Sequence, residues 1–334
     1  MNKLLLIVSI FLLACSKPFF DQEPAPNAEE TFKYLWKECD EKYSFFELKN
    51  VDWNEKNSKY SSQVYNGMSQ QALFDVLFDM LKELRDGHVN LISAFQVSRF
   101  DISQLGSKNF DDRLLKDYYL SDKYFITGGL SHDLFVEDSI GYVRYGSFSS
   151  SVTDDQMDFI LNKYKNTKGL IFDVRANGGG SVTNVFKILS HFINEKTFIY
   201  DSYIKNGKGH NDFNAAEKAF LEPAEGYRYL KPVVVLTDRG SYSATSYFSL
   251  GVRAIQNMTI IGDTTGGGLG APNGGQLPNG WTYRFSITQT ISHDGQNLEN
   301  GVPPDIQIDL DPNQVLLGID TILERAISFI KTGV

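Results

Sequence analysis

Two strand-to-helix turns constrain the fold of this chain more than any other feature of its sequence. The segments LIFDVRANGGGS (170–181) and VVVLTDRGSYSATS (233–246) each start as an apolar run and end in glycine or small residues before a helical pattern. These runs predict buried parallel strands, whose turns converge at one edge of a sheet. One turn offers a serine hydroxyl, and the other offers glycine N–H groups that no side chain shields. Together they indicate acyl-transfer chemistry.

The region 139–334 predicts an α/β core with a mixed, mainly parallel sheet flanked by helices. Its strand and helix patterns alternate, as expected when helices cover both faces of a parallel sheet. Thr153 and Gln156 predict a capping box at the start of one helix. Near the C-terminus we expect WTYRFSITQTIS (281–292) to form one exposed strand and PNQVLLGIDTILERAISFI (312–330) to form one amphipathic helix.

The part of the chain before this core divides into two regions. Residues 29–88 predict a small N-terminal helical domain, and residues 89–138 form a connecting region with mixed patterns. We expect Gly87 to end the last helix of the helical domain. One apolar stripe of that helix is marked by Leu73, Leu77, Leu81 and Leu84.

The first fifteen residues, MNKLLLIVSIFLLAC, predict a signal peptide, because one lysine precedes an apolar run that is too short to span a bilayer as a folded helix. The end of this run resembles a bacterial lipobox, which implies cleavage before Cys15 and acylation of its thiol. An ordinary secretory signal is the alternative. Residues 16–28 contain three prolines and are expected to form a tether. The mature protein would then be held in the bacterial cell envelope by a lipid anchor, facing the periplasm or the cell surface.

Composition narrows the partners that this chain can have. The formal net charge of -9 disfavours a nucleic-acid partner, because polyanions require clustered Lys and Arg side chains. After Cys15 the remaining cysteine is Cys39, so we expect no intramolecular disulfide framework. We expect neither a cofactor nor a metal. The sequence leaves the oligomeric state and the membrane leaflet open.

Ser243 is the candidate nucleophile. It stands at the start of a helix after a tight turn that contains Gly240, where we expect the N–H group of Ala244 to be unpaired. Unpaired amides at a helix N-terminus favour negative charge nearby. The alternative is that Ser241 or Ser243 only caps the helix.

A serine nucleophile needs a base, and His88 is the candidate. It follows Asp86 and Gly87 at a helix end that is expected to project toward the edge of the sheet; an interaction with the helix dipole is the alternative. A lysine from the helix after Ser243 or from the following strands is excluded, because the segment between Lys231 and Lys331 contains no lysine. The other histidines are expected on the solvated surface (His191 and His210) or in short turns (His132 and His293).

Two carboxyl groups compete for the role of orienting His88. Glu299 lies in a loop stiffened by proline and glycine, and Asp86 is its rival; a solvated turn residue is the alternative interpretation of Glu299. Asp173 and Arg175 are expected to form a buried pair that shapes the glycine-rich loop.

Five motifs in a fixed order resemble the C-terminal processing, or tail-specific, serine peptidases. This resemblance extends from residue 29 onward and implies a ClpP/crotonase-like core. The connecting region has too few residues for the PDZ domain that many of these peptidases carry, so we expect none. The motifs are DGH (86–88), FDVRANGGG (172–180), GSYSATS (240–246), GDTTGGG (262–268) and NGVPPD (300–305).

The resemblance also implies roles for individual residues. One branch of the family uses a Ser and Lys dyad whose lysine would fall near Gly268, where this chain has glycines. The chain is therefore similar to the tricorn-core branch, which implies Ser243 as nucleophile, His88 as base and Glu299 as orienting group. The implied oxyanion donors are the N–H groups of Ala244 and of Gly178 or Gly179. The tricorn-type pattern has serine before the histidine, where Gly87 stands here.

We therefore expect a serine endopeptidase that acts through an acyl-enzyme. A non-catalytic carrier is the first alternative, because the fold is also found in the interphotoreceptor retinoid-binding protein. An esterase or amidase is the second, because the same triad chemistry cleaves both kinds of bond.

Overall fold

The computed structural model of the protein describes residues 26–135 and 139–333. The predicted signal peptide, Cys15 and most of the tether lie outside the described residues. Within those two ranges, no helix has the length and apolar character needed to cross a membrane.

The described residues contain helices throughout the N-terminal region and between the strands of the core. In chain order they are α1 (Ala28–Lys42), α2 (Phe46–Lys49), α3 (Trp53–Ser61), α4 (Gln70–Lys82), a 3₁₀ turn (Ile102–Leu105), α5 (Asp112–Tyr118), α6 (Asp154–Lys163), α7 (Val182–Ser190), α8 (Ala244–Val252), α9 (Pro312–Val315) and α10 (Thr321–Thr332). The strands begin directly after the N-terminal helices. They are β1 (Asn90–Ile92), β2 (Val97–Arg99), β3 (Phe125–Thr127), β4 (Leu130–Phe135), β5 (Ile140–Tyr145), β6 (Gly169–Asp173), β7 (Thr197–Ile204), β8 (Glu217–Leu221), β9 (Val233–Thr237), β10 (Met258–Gly262), β11 (Pro272–Gln276), β12 (Thr282–Ser286), β13 (Thr288–Ser292) and β14 (Ile306–Gln307).

A large mixed sheet forms the centre of the core, with its strands in the order β14-β10-β9-β6-β5-β4-β3. The strands from β14 to β5 pair in parallel, whereas β4 and β3 are antiparallel. All residues of β6 and β9 are buried, since α6, α7 and α8 cover one face of the sheet and α5 and α10 cover the other. The predicted mainly parallel sheet with helices on both faces is confirmed.

The N-terminal helices pack against a smaller antiparallel sheet with the strand order β11-β12-β1-β2. The prediction of one exposed strand over 281–292 was wrong. The segment splits between β12 of this sheet and β13, which pairs with β7 in a third sheet. Tyr283 and Phe285 are buried because the N-terminal helices cover the face of β12 on which they lie.

Two helix boundaries differ from the expected ones for local reasons. The C-terminal segment forms α9 and α10 instead of one helix, because Gly318 adopts a left-handed φ of 81° and the side chain of Asp320 caps α10. Helix α4 ends at Lys82, before the left-handed Arg85, and not at Gly87. The capping box of Thr153 and Gln156 is confirmed. All four leucines of the predicted stripe are buried.

Candidate active site

Ser243 lies directly before α8, at the edge of the central sheet where the parallel strands end. Its backbone has φ 58° and ψ −120°, a strained conformation for a residue with a side chain. Its N–H group donates to the carbonyl of Gly267 at 2.9 Å, and the preceding Tyr242 donates to Asn177 at 3.0 Å. The Ser243 hydroxyl makes no capping hydrogen bond to α8, so helix capping does not explain this serine.

The imidazole of His88 lies within hydrogen-bonding distance of this hydroxyl, with Nε2 at 3.0 Å from Oγ of Ser243. The His88 side chain is 6% exposed, and its ring lies against that of Tyr242 with 4.9 Å between centroids. Burial lowers the pKa of His88; the charge of Asp86 opposes this effect without reversing it. A neutral imidazole at physiological pH is the form that accepts a proton.

Two buried carboxyl groups, Asp86 and Glu299, belong to the same site. Asp86 accepts the backbone N–H of His88 at 2.7 Å, and Glu299 accepts the N–H of Gly270 at 2.8 Å. Burial and the neighbouring Asp86 raise the pKa of Glu299 to about 8. Within the described ranges, Nδ1 of His88 makes no hydrogen bond, so neither carboxyl group is bonded directly to the ring.

The glycine-rich loop after β6 lies against the nucleophile turn. A Cβ atom on Gly179 would approach Ala244 N to 2.9 Å, and the Gly179 N–H donates to Oδ1 of Asn177 at 3.0 Å. The N–H groups of Gly178 and Ala244 donate to no other group of the described residues. Space beside Gly178 is open, since a Cβ there would have no neighbour within 4 Å. Of the two glycines expected as alternative donors, Gly178 is the one whose N–H group is unengaged.

A buried ion cluster supports the start of this loop. Arg175 donates to Asp173 at 2.7 Å and to Asp320 at 2.9 Å, which joins the end of β6 to the start of α10. Burial raises the pKa of Asp173, but Arg175 and Arg144 outweigh it and lower that pKa below its ordinary value. The predicted buried pair of Asp173 and Arg175 is confirmed, and Asp320 is an additional member.

Asp238 joins the two turns through backbone donors. Its Oδ1 accepts the N–H groups of Ala176 at 2.8 Å and of Ser241 at 2.9 Å. The Ser241 hydroxyl donates to the carbonyl of Val174 at 2.8 Å. The glycine-rich loop and the nucleophile turn are therefore held together by hydrogen bonds of Asp238 and Ser241.

Two of the remaining histidines lie elsewhere than expected. His191 is fully buried at the end of α7, where the loop residue Tyr229 donates to its carbonyl at 2.8 Å, so the solvated location was wrong. His132 belongs to strand β4, not to a turn, and its buried ring bonds to the hydroxyl of Tyr164 at 2.6 Å. His210 is partly exposed and pairs with Asp40 at 2.9 Å.

Sequence reasoning missed Tyr242 and Ser286, which both contact Asp86. The Ser286 hydroxyl donates to Oδ2 of Asp86 at 2.9 Å, and the Tyr242 hydroxyl lies 3.4 Å from Oδ1. The position of Tyr242 inside the motif GSYS was a usable signal. Ser286 had no such signal, because its contact joins residues that are 200 positions apart.

Comparison with known families covers both parts of the chain. Residues 139–308 match Peptidase family S41, and this match spans half of the chain. Residues 24–82 match the Tricorn protease C1 domain.

Individual relatives agree with these matches. The chain is 26% identical over 177 residues to the carboxy-terminal processing protease CtpA of Bacillus subtilis (strain 168), which covers 52% of this chain and only 36% of that protein. A crystal structure of a candidate peptidase from Parabacteroides merdae ATCC 43184 is 41% identical, with a TM-score of 0.88, and covers 91% of this chain and 96% of the other. The tricorn protease structure shares the fold, with a TM-score of 0.57 and 17% identity over 91% of this chain and 36% of the other.

Proposed function

This chain belongs to peptidase family S41, a family of serine-type peptidases, and on that premise we propose that it hydrolyses peptide bonds through an acyl-enzyme formed on Ser243. One observation carries the proposal: the 3.0 Å distance between Nε2 of His88 and Oγ of Ser243. A base within hydrogen-bonding distance is what a weakly acidic hydroxyl needs to become a nucleophile.

In the proposed reaction, His88 takes the hydroxyl proton as Oγ of Ser243 attacks the carbonyl carbon of the substrate. The resulting oxyanion accepts hydrogen bonds from the N–H groups of Gly178 and Ala244, whose lack of other partners supports this role. His88 then gives its proton to the leaving amine, and the acyl group stays on Ser243. A water molecule, deprotonated by His88, releases the acyl group and restores the serine.

We assign the orienting role to Glu299, the residue that the family resemblance implies. Its burial and its place in the hydrogen-bonded surroundings of His88, through Gly270, support this role. Because its pKa is raised to about 8, Glu299 holds a proton at neutral pH, so it would orient the site through its hydrogen bond with Gly270 and not through a negative charge.

The proposed substrate is a peptide or protein, and the proposed location is the bacterial cell envelope. The apolar run that predicts a signal peptide, and the lipobox-like cysteine at its end, support the proposal of a lipid anchor at Cys15. Such an anchor would hold the enzyme beside secreted or envelope proteins.

The experiment that tests this function measures hydrolysis of unfolded casein by the wild type and by Ser243→Ala. We expect activity to fall by about 10⁴-fold or more in the variant, because the nucleophile is removed while the fold has no new cavity. The matched control is Ser249→Ala, which removes a buried hydroxyl that donates to the carbonyl of Thr245 within α8 and should leave activity within about twofold. Casein that binds the wild type without cleavage would favour the carrier, and activity retained by Ser243→Ala would exclude this nucleophile.

A further inference from the structure

Asp86 has a role that rests on the proposed function and extends it. We propose that Asp86 is a positioning residue of the reaction: held by His88, Ser286 and Tyr242, it fixes the imidazole and supplies the negative charge that stabilises its protonated form. The residue is nearly fully buried, with 1% of its surface exposed.

Three donors from three separate elements converge on this carboxylate. The backbone N–H of His88 donates to Oδ1 at 2.7 Å, the Ser286 hydroxyl at the end of β12 donates to Oδ2 at 2.9 Å, and the Tyr242 hydroxyl lies 3.4 Å from Oδ1. Within the part of the chain that the structure describes, no lysine or arginine forms an ion pair with Asp86. These donors replace the water that a carboxyl group loses on burial. A buried negative charge without a cation partner is therefore available to act on His88.

The glycine before His88 explains why this role falls to Asp86. A Cβ atom at Gly87 would approach the Tyr242 hydroxyl and Cγ1 of Ile102 to 2.9 Å each. A serine at this position, as in the tricorn-type pattern, would therefore force Tyr242 or Ile102 to move. Tyr242 occupies that space with its hydroxyl near Asp86 and its ring against the imidazole. The space that a serine side chain at position 87 would need is thus occupied by Tyr242 and Ile102.

Ser286 extends the network from Asp86 to the second carboxyl group. Its hydroxyl lies 3.4 Å from the carbonyl of Gly270, and the N–H group of Gly270 donates to Glu299 at 2.8 Å. The backbone of Gly270 also raises the pKa of His88. The two carboxyl groups are thus connected through Ser286 and Gly270, and the imidazole interacts with this connection.

The charges around His88 determine the direction in which its pKa shifts when Asp86 is replaced. Burial lowers the pKa of His88, Asp86 raises it and Arg284 lowers it. Removal of the Asp86 charge therefore lowers this pKa further, because burial and Arg284 remain. The titratable side chains that act on His88 or on the two carboxyl groups are Asp86, Glu299, Arg284, Lys49, Tyr43 and Tyr242.

The first test is the variant Asp86→Asn, which keeps an oxygen that accepts the His88 N–H. The measurement is the second-order rate constant for labelling by a fluorophosphonate probe across the pH range, because this reaction reports the base without requiring a known substrate. We expect the maximal rate constant to fall by about 100-fold and the acid limb of the profile to move to lower pH. A purely structural role would lower the amount of active protein without moving that limb.

Two further variants keep the charge and remove its donors. We expect Ser286→Ala to lower the rate constant by about tenfold and Tyr242→Phe by about threefold, since each leaves the carboxylate less firmly held. Ser249→Ala, the matched buried serine outside this network, should stay within about twofold of wild type. These variants test the proposal even if Asp86→Asn fails to fold.

Each outcome bears on the proposal. A wild-type rate constant with an unmoved acid limb in Asp86→Asn would overturn it while leaving the nucleophile intact, as would equal labelling of Ser286→Ala, Tyr242→Phe and Ser249→Ala. A lowered maximum with an unmoved limb would also overturn it, because the charge would then not act on His88. A wild type that the probe does not label would overturn the proposed function, and this inference with it.

Discussion

Two buried acidic sites near the same edge of the central sheet have opposite electrostatic surroundings. At the ion cluster, Asp173 is fully buried, and its two arginine neighbours lower its pKa below the ordinary value despite burial. At the candidate active site, Glu299 is 2% exposed, and burial together with Asp86 raises its pKa to about 8. Burial raises the pKa of both groups, so the charge of the neighbouring side chains decides whether the final pKa is raised or lowered.

The difference in electrostatic surroundings indicates different roles, since the ion cluster stabilises the fold and the candidate active site carries the proposed chemistry. The Arg175 cluster neutralises its carboxylates and joins β6 to α10, which fixes the loop that carries the proposed oxyanion donors. At the candidate active site, by contrast, two acidic side chains lie close together beside His88 and raise the pKa of Glu299, an arrangement that is typical of functional sites. The variants below test whether the two sites respond as differently as their surroundings predict.

The largest expected effect on stability belongs to Arg175→Met. It leaves Asp173 and Asp320 buried without their cation, so we expect the free energy of unfolding in urea to fall by about 3–5 kcal/mol. The matched control is Lys196→Met, which removes the cation of an exposed pair with Glu222 and should change stability by less than about 1 kcal/mol. A similar small loss in both variants would mean that the buried cluster does not support the fold.

Glu299→Gln should have the opposite effect, and one that depends on pH. In the folded protein Glu299 keeps its proton up to about pH 8, whereas in the unfolded chain it ionises above its ordinary pKa of 4.5. Between these two values the free energy of unfolding of the wild type therefore falls as pH rises. A glutamine side chain does not titrate in either state, so its contribution does not change with pH. We therefore expect the free energy of unfolding of the variant in urea to equal that of the wild type at about pH 4.5 and to be higher by a few kcal/mol at about pH 9.

The mirror-image control for that experiment is Asp173→Asn. Because the pKa of Asp173 is lowered in the folded protein, its ionised form contributes stability above its unfolded pKa, and this contribution is lost only in acid. The Asp173→Asn variant should therefore have a lower free energy of unfolding than the wild type at neutral pH. Parallel pH profiles for Glu299→Gln and Asp173→Asn would contradict the distinction between the two sites.

The smallest effect is expected for Asp238→Asn, at a third kind of buried acid. Burial raises the pKa of Asp238, and its partners are the N–H groups of Ala176 and Ser241. The amide oxygen of asparagine can accept the same two donors, so we expect a loss of about 1 kcal/mol at neutral pH in urea unfolding. A loss as large as that of Arg175→Met would show that charge, and not hydrogen bonding, holds the two turns together.

The sequence predicts those parts of the fold that local patterns determine. Fully apolar runs predict β6 and β9, and Thr153 and Gln156 predict the capping box of α6, because these signals depend on a few neighbouring residues. The juxtaposition of Ser243 and His88 follows from where two motifs sit at the ends of elements and from the resemblance to known peptidases.

Long-range packing explains what the sequence did not predict. Strand β12 looks exposed in isolation, but helices more than 200 residues earlier cover Tyr283 and Phe285. His191 lies on an amphipathic helix end whose outer side is closed by the loop of Tyr229. The contact of Ser286 with Asp86 depends on the antiparallel pairing of β12 with β1, which no local pattern indicates.

The proposed reaction depends most on the activation of Ser243 by His88. Mass spectrometry of the protein after treatment with a fluorophosphonate tests this claim most directly. We predict a single adduct on Ser243 in wild type and in His210→Ala, no adduct in Ser243→Ala, and labelling slowed by about 10³-fold or more in His88→Ala. An adduct on another residue, or labelling of His88→Ala at the wild-type rate, would contradict the account.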